Sequence, residues 1–474
     1  MEKQAYRPIE ILTKILKNKE YGETLTRQAS RLGLHLSEYQ SIFKNKTKEF
    51  FDKAQIYAKG LLLSNNRNIE KITEDMNVDY YQMQHFITES NWSSRELMDQ
   101  IAREVNQLLP KRKLTGLIID ESGWVKKGNH SVGVGWQYCG NVGKLSNSQV
   151  AVFAALNNGD FSSMVDARLF LPADWCNNPL RCDKAGIPET ERTFKTKIEI
   201  AYEILEHQSK QINFDFVSGD GLYGNDADFA RKIDKLGYLY MLDIHSNQSI
   251  YLEPTELEVP QRKSAKGPTP KKLKATNPSI SVSDYMGNLE DNQWQKLIVR
   301  NTTKGKLIGY YHFAKVFIWN KTINAIEQRM LVIRKTITKE NGLEIKYSFT
   351  NANLEQYTQE VIAYMQAQRF FVEHCLKESK QILGIDQFQT RKWNAWVHQI
   401  AMNFLVSSFI LKEKLLNNNE LPLLSARDIK ELIVFKLYKQ MTDEQMFEKI
   451  INRHIKRQLD INNVYLKQYS NLSK

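Results

Sequence analysis

The chain has 474 residues, enough for two to four structural units, and its 42% hydrophobic and 25% charged residues are typical of a globular protein. The 66 basic and 54 acidic side chains give a net charge of +12, which fits a protein that meets polyanions such as nucleic acids, although a lysine-rich solvated surface explains it equally well. Disordered, secreted and membrane classes are excluded: no signal segment opens the chain, and the longest apolar stretch, residues 400–411, is broken by polar residues.

Four cysteines without zinc-site spacing predict reduced thiols and no sulfur-based metal site. Residues 1–112 show apolar positions at helical spacing and predict an all-α N-terminal domain. The pattern changes at Leu114–Trp124, an apolar run that ends in an acid and predicts a buried strand. Two further strands at residues 130–140 and 146–157 suggest a meander. A helix over residues 194–212, a strand over 214–224, a short helix and a strand over 238–244 follow.

From residue 246 to residue 352 the pattern predicts a basic, proline-rich linker followed by a β-rich insertion. The linker holds six basic residues and no acid between Gln261 and Lys274, which suits phosphate contact or, equally simply, a solvated loop. Residues 353–412 and 413–474 are predicted to be helical. The order of elements over 113–245 and 353–412 matches a ribonuclease H-like α/β fold, a mixed five-stranded sheet with flanking helices, interrupted by the insertion.

Two acids close predicted strands: Asp120 ends the first strand and Asp220 ends the fourth. Functional groups gather at the carboxyl ends of strands in open α/β sheets, so adjacent strands would bring these carboxylates together. A hard divalent cation with oxygen ligands relieves the repulsion between them.

A later helix supplies a third acid, Glu373, with Arg369 four residues before it and Lys380 seven after it. At about 100° per residue the three side chains fall within roughly 40° of one helix face, as expected for a helix that lines an acidic, phosphate-binding cleft. Taken alone, the same pattern also fits an amphipathic helix with an Arg–Glu pair on its surface.

Three blocks of the sequence resemble those of DDE-type bacterial insertion-sequence transposases. The first is IIDESGWVKKGNHSVGVGWQYCG, the second includes VSGDGLYGND, and the third begins RFFVEHCLKESKQILG. The resemblance covers roughly residues 56–160, 185–245 and 355–410 in the family's order. It implies a transposase that cuts a mobile element at its ends and joins it to target DNA by two-metal-ion phosphoryl transfer.

Matched position by position, the resemblance places Asp120, Asp220 and Glu373 on the catalytic, metal-binding triad and implies two Mg²⁺ ions, with Mn²⁺ as a substitute. Arg369 and Lys380 fall on the Arg and Lys of the Tyr-Arg-Glu-Lys signature and are expected to hold phosphates. The signature's Tyr is replaced by Gln366, and the first block has Glu121 and Ser122 where Asp and Thr are usual.

Further DNA contacts are expected from basic and aromatic residues in the blocks and in the linker: Tyr223, Lys126, Lys127, Lys271 and Lys272. The resemblance also implies transposon-end and target DNA as partners and a homodimer. The N-terminal helices and the segment Gln261–Lys274 are the candidates for recognition of the DNA ends. No membrane contact and a cytoplasmic, nucleoid-associated location are also expected. Two alternatives stay open: a ribonuclease H-like nuclease or resolvase without strand transfer, and a domesticated DNA-binding regulator without catalysis.

Overall fold

The computed structural model describes residues 9–18, 27–111, 113–159, 161–261, 270–302, 305–338, 342–419, 421, 423–438 and 442–472. Helices, many of them in the N- and C-terminal parts of the chain, are α1 Ile9–Asn18, α2 Gln28–Ser37, α3 Phe51–Leu63, α4 Ile69–Met76, α5 Tyr80–Thr88, α6 Ser94–Leu108, α7 Ala173–Cys176, α8 Pro179–Ala185, α9 Lys197–Gln208, α10 Gly221–Gly224, α11 Ala227–Lys235, α12 Val282–Gly287, α13 Gln359–Gln368, α14 Phe370–Leu383, α15 Trp393–Leu416, α16 Ala426–Tyr438 and α17 Asp443–Leu472.

The strands belong to one large sheet and three two-stranded ribbons. They are β1 Lys44–Asn45, β2 Lys48–Glu49, β3 Gly116–Val125, β4 Gly135–Cys139, β5 Lys144–Asn158, β6 Phe161–Leu169, β7 Phe216–Gly219, β8 Leu239–Asp243, β9 Ser249–Ile250, β10 Leu257–Glu258, β11 Lys274–Ala275, β12 Ile280–Ser281, β13 Gln295–Thr302, β14 Gly305–Asn320, β15 Ala325–Thr338 and β16 Gly342–Thr350. The chain is therefore a mixed α/β protein, as predicted.

The large sheet has ten strands. Nine of them follow the order β13-β14-β15-β16-β8-β7-β3-β5-β4, and β6 also pairs with β5. Strands β3, β7 and β8 are parallel, whereas β5 is antiparallel to β3 and β6. The middle of the sheet is buried on both faces, because the successive residues Leu117, Ile118 and Ile119 of β3 alternate between the faces and all are buried.

The predicted meander is partly wrong. The segment expected to be the second core strand contains β4, a five-residue strand that pairs only with the outer half of β5. The inner half of β5 pairs with β6, a strand that the sequence analysis missed. Ser162, Ser163 and Asp166 interrupt the apolar pattern of β6. Asp166 is nevertheless buried, because Arg95 and Gln208 donate hydrogen bonds to its carboxylate.

The β-rich insertion adds strands to the central sheet. Its strands β13–β16 form a meander, and β16 pairs with β8, so the insertion continues the central sheet. Part of the basic linker, residues 262–269, lies outside the described residues.

The predicted N-terminal helices are present over the described residues and are capped by polar side chains. Asn68, Asp79 and Ser93 each accept a hydrogen bond from the backbone N–H three residues on. These helices share a buried core with α15, whose His398 contacts the carbonyl oxygens of Ile87 and Trp92. The domain boundaries stay predictions. Within the described residues, no helix has both the length and the apolar character that crossing a bilayer requires.

Candidate active site

Parallel pairing of β3 with β7 brings the first two predicted acids together. Ile118 lies opposite Ser218, so β3 continues past the end of β7, and Asp120 lies beside the turn that follows β7. Asp220 begins that turn as the N-cap of α10, and its Oδ1 accepts the Leu222 N–H at 2.9 Å. The turn is tight against β8: a Cβ on Gly224 would lie 1.9 Å from the Asp243 carbonyl oxygen, so only glycine fits there.

Three carboxylates form a close cluster at this edge of the sheet. Asp120, Glu121 and Asp220 each offer an oxygen atom, and these atoms all lie within 4.8 Å of one another. Neighbouring residues of a strand normally face opposite sides of the sheet. Glu121 can nevertheless approach Asp120 and Asp220, because β7 ends before this position and, among the described residues, no strand lies beside β3 on that side. Lys197 contacts Glu121 at 3.1 Å on its outer side.

The third predicted acid lies on α14 and meets the cluster through a guanidinium. Arg369 stands at the junction of α13 and α14, and its Nη1 donates to Glu373 Oε1 at 2.8 Å. Its Nη2 lies 3.9 Å from Asp120 Oδ2, and its Nε lies 3.6 Å from Asp243 Oδ2. The Glu373 side chain is 53% exposed, so it faces the open side of the cleft, outside the close cluster.

The cleft holds more negative than positive charge. Burial raises the pKa of Asp120 to about 7; the neighbouring carboxylates add to this rise, and Arg369 opposes it. Burial and then Glu121 also raise the pKa of Asp220. Burial alone would lower the pKa of Arg369, but the carboxylates around it outweigh that effect and raise it. An all-oxygen set of crowded carboxylates fits a hard divalent cation such as Mg²⁺.

Lys380, nearly two turns beyond Glu373, reaches the same region from α14. Its Nζ donates to Asn141 Oδ1 at 2.6 Å, in the turn between β4 and β5. Burial lowers the pKa of Lys380; the charge of Asp386 opposes that shift most, and Asp120 opposes it more weakly. The helix face expected from the spacing is therefore present, with Arg369, Glu373 and Lys380 directed at the cleft and its rim.

The other predicted DNA contacts have different surroundings. Tyr223 is fully buried, and its hydroxyl donates to Glu121 Oε2 at 3.2 Å. Lys126 packs over the Phe388 ring and donates to the Phe388 carbonyl oxygen at 2.8 Å; burial lowers its pKa to about 8. Both geometries favour a supporting role over direct DNA contact. The remaining predicted DNA contacts, Lys127, Lys271 and Lys272, are exposed, as a DNA contact requires.

Asp243 and the place of Glu121 in the cluster were not predicted from the sequence. Asp243 ends β8 and Asp220 directly follows β7, but β3 continues to Val125, so the prediction that Asp120 ends its strand is wrong. An acid that follows an apolar run marks all three residues, so the same signal could have identified Asp243. It belongs to a buried chain of hydrogen bonds: Gln366 Nε2 donates to Ser348 Oγ at 2.9 Å, and Ser348 Oγ donates to Asp243 Oδ1 at 2.7 Å. The residue that replaces the signature Tyr is thus linked to the partner of Arg369.

Parts of the chain are similar to known proteins. Residues 38–306, more than half of the chain, match the family described as DDE superfamily endonuclease; this range contains Asp120 and Asp220 and ends before Glu373. A probable transposase for insertion sequence element IS701 from Microchaete diplosiphon is 32% identical over 193 residues, 40% of this chain and 47% of that protein. The chain thus matches about half the length of this relative.

Among solved structures, a piggyBac transposase synaptic complex with hairpin DNA aligns over 96% of this chain and 85% of that chain. The identity is 10% and the TM-score is 0.39, too low to define a shared fold. The family match, which spans the close acid cluster, decides the assignment: the chain belongs to the DDE superfamily endonuclease family.

Proposed function

We propose that this protein is a DNA transposase that cuts a mobile element at its ends and joins it to target DNA. The observation that carries the proposal is the cluster of Asp120, Glu121 and Asp220, with Glu373 joined to it through Arg369. Family membership and the likeness to a probable insertion-sequence transposase support it.

We infer that the catalytic core is ribonuclease H-like. In chain order the core strands are β3, β5, β6, β7 and β8, and in space they follow the order β6-β5-β3-β7-β8. Strand β5 runs antiparallel to the other four. This arrangement supports the inference because it places the first and fourth strands side by side, which is what brings Asp120 and Asp220 together.

Asp120, Asp220 and Glu373 are proposed to hold two Mg²⁺ ions, or Mn²⁺ in their place. When bound, such ions activate an attacking hydroxyl and stabilise the leaving oxygen in an in-line displacement at phosphorus. Glu121 lies close enough to contribute a further oxygen. Tyr223 and Lys197 fix the Glu121 carboxylate from two sides.

Arg369 and Lys380 are proposed to hold the phosphates that flank the scissile bond. The Arg369 guanidinium is shared among Asp120, Asp243 and Glu373, so it stays aligned with the acids before DNA arrives. Its planar fork suits two phosphate oxygens, whereas the Lys380 ammonium acts as a point charge. Lys127, Lys271 and Lys272 are exposed and are proposed to contact the DNA backbone.

The proposed partners are transposon-end DNA and target DNA, with a homodimer that holds two ends at once. The net charge of +12 supports binding to a polyanion. A nucleoid-associated, cytoplasmic location goes with this proposal.

The test is cleavage and joining of labelled DNA that carries the sequences flanking the gene, with Mg²⁺, for the wild type, Asp120→Asn, Asp220→Asn and Glu373→Gln. We expect each variant to lose at least a thousandfold in cleavage rate while still binding the DNA, because each loses a charged ligand. Asp183→Asn, a change in an exposed ion pair with Arg192, is the matched control and should cut normally.

Two results would redirect the assignment. Cleavage without any joined product would favour the nuclease or resolvase alternative. Specific binding without Mg²⁺-dependent nicking would favour a regulator.

A further inference from the structure

One face of the central sheet carries both Asp120 and a row of exposed apolar side chains. Residues directly opposite each other in antiparallel strands lie on the same face, and every second residue of a strand returns to it. Asp120 is opposite Phe153 of β5, and Asn147 and Leu145 of β5 share the face of Phe153.

The row lies on β4 and the outer end of β5. Trp136 is opposite Asn147, and Tyr138 is opposite Leu145, so these side chains continue the face that begins at Asp120. Their exposed fractions are 74% for Trp136, 55% for Tyr138 and 56% for Leu145. All eight tryptophans lie in described segments, and only Trp136 is mostly exposed. A clustered exposed aromatic face of this kind marks an interaction surface.

The charges around this face favour a polyanion. Between Glu121 and Asp160 the sequence contains no acid, but it contains three lysines, Lys126, Lys127 and Lys144. Lys127 and Lys144 are exposed. Aromatic rings among lysines suit a nucleic acid strand, because the rings stack on bases while the ammonium groups meet phosphates.

The aromatic row is attached to the acid site through the turn between β4 and β5. Asn141 in that turn donates to the Gly123 carbonyl oxygen at 2.6 Å and accepts from Lys380 Nζ at 2.6 Å. Trp136 lies opposite Asn147, six residues along β5 from Phe153, so about 20 Å of strand separates Trp136 from Asp120. At about 3.4 Å per nucleotide step this distance corresponds to about six nucleotides.

We propose that Trp136 and Tyr138 form a stacking platform for unpaired or unstacked DNA bases about six nucleotides from the scissile phosphate. This inference rests on the proposed function and specifies how the same site holds its DNA. Trp136 supplies the larger stacking surface, and Tyr138 and Leu145 extend it along the strand. The platform favours DNA with distorted pairing over regular duplex, because a paired base keeps its faces stacked on its neighbours.

The experiment measures binding of the full-length protein, in EDTA so that nothing is cut, to two fluorescent DNAs of the same sequence. One is a regular duplex; the other has three unpaired bases about six nucleotides from the end. We expect the wild type to prefer the second DNA and to show quenched tryptophan fluorescence on binding it. Trp136→Ala should weaken binding to that DNA about tenfold and bind the duplex nearly as before, since base–aromatic stacking is worth this much per base.

Three further variants separate stacking from other causes. Trp136→Phe should keep binding within about threefold of the wild type, whereas Trp136→Leu, which stays apolar and fits a strand, should lose as much as the alanine variant. Leu180→Ala, at an 81% exposed position in α8, is the control for loss of an exposed apolar side chain. Equal binding of both DNAs by the wild type and Trp136→Ala would overturn the inference.

A second copy of this chain is the competing occupant of the face. If Trp136→Ala turns a dimer into a monomer in sedimentation and leaves DNA preference unchanged, the inference is wrong and the face is a subunit interface. A wild-type protein that binds neither DNA, and cuts neither when Mg²⁺ is present, would contradict the proposed function. The Trp136 variants test only the stacking platform, so the two failures can be told apart.

Discussion

Two buried aspartates of the same sheet, Asp120 on β3 and Asp166 on β6, have opposite electrostatic surroundings. They lie opposite adjacent residues of β5, Phe153 and Ala154, and both are almost fully buried. Burial raises the pKa of each, but at Asp166 the charge of Arg95 and Arg168 and the hydrogen bond from Gln208 outweigh burial, and the pKa is lowered. At Asp120 the pKa is raised to about 7.

The protein's own side chains balance the charge of Asp166 but not the charge of Asp120. Asp166 receives hydrogen bonds from Arg95 at 2.8 Å and Gln208 at 2.9 Å, so it joins two helices to the sheet. Asp120 has the Arg369 guanidinium at 3.9 Å and the carboxylates of Glu121 and Asp220 at close range. A buried carboxylate whose charge is not balanced by nearby cations destabilises the folded protein. Such a group is a candidate for function, because a bound cation would remove this destabilisation.

The largest expected effect on stability is at Asp166. Asp166→Asn should lower the free energy of unfolding by about 3–5 kcal/mol, because it leaves the Arg95 guanidinium without its buried partner. Chemical denaturation of the metal-free protein measures this change. Asp183→Asn, in an exposed pair with Arg192, is the control and should change stability by less than about 1 kcal/mol. Equal losses of unfolding free energy in the two variants would contradict the expectation that the buried ion pair stabilises the protein more than the exposed pair.

The next effect is a pH-dependent gain at Asp120. The native state holds its proton to about pH 7, whereas an unfolded aspartate releases it near pH 4, so the metal-free wild type should lose stability as the pH rises from about 4 to 7. Asp120→Asn removes this loss. In EDTA at pH 8 the variant should be more stable than the wild type by on the order of 2–4 kcal/mol, with the gap closing by pH 4. Parallel pH profiles would contradict the raised pKa.

Divalent cations should reverse the ranking of those two proteins. At about a hundredfold excess over its dissociation constant, Mg²⁺ should stabilise the wild type by about 2.7 kcal/mol and raise its Tm. Asp120→Asn should show little of this shift, and Asp183→Asn should show all of it. An Mg²⁺ shift that survives in Asp120→Asn would place the cation elsewhere in the molecule.

The smallest effect concerns the hydrogen bonds behind Arg369. Ser348→Ala removes the hydroxyl that joins Gln366 to Asp243, so Asp243 should hold Arg369 less firmly. We expect about a tenfold fall in single-turnover cleavage rate, with the Mg²⁺-induced Tm shift unchanged. Ser163→Ala is the matched control, because that buried hydroxyl has no hydrogen-bond partner among the described residues. A lost Mg²⁺ shift in Ser348→Ala would mean that the cluster itself had been disturbed.

The first two acids were predictable because their signal is local. An apolar run that ends in an acid marks both Asp120 and Asp220, and strand order then brings them together. Glu373 was different: its spacing to Arg369 fits a surface pair as well as a cleft, and only resemblance to a family identified it. Sequence also predicted the mixed α/β class and the helical segments at both ends of the described chain.

Other features depend on contacts that are distant in sequence. Strand β6 was missed because its buried Asp166 is compensated by Arg95, far away in the chain. Lys126 stays a predicted DNA contact, but its packing on Phe388, 262 residues later, could not be predicted from the sequence. Nothing local in β16 indicates that its partner is β8, so the sequence did not show that the insertion adds strands to the central sheet.

The pairing of β16 with β8 has a consequence for attempts to shorten the protein. Without the strands of the insertion, β8 would become an open edge with unpaired backbone groups, and such edges recruit other chains into aggregates. The same cut would remove Ser348, the hydrogen-bond donor to Asp243. A truncated catalytic fragment therefore needs a replacement edge strand or charged residues along β8. Without them, a loss of activity would reflect the exposed edge and not the function of the removed segment.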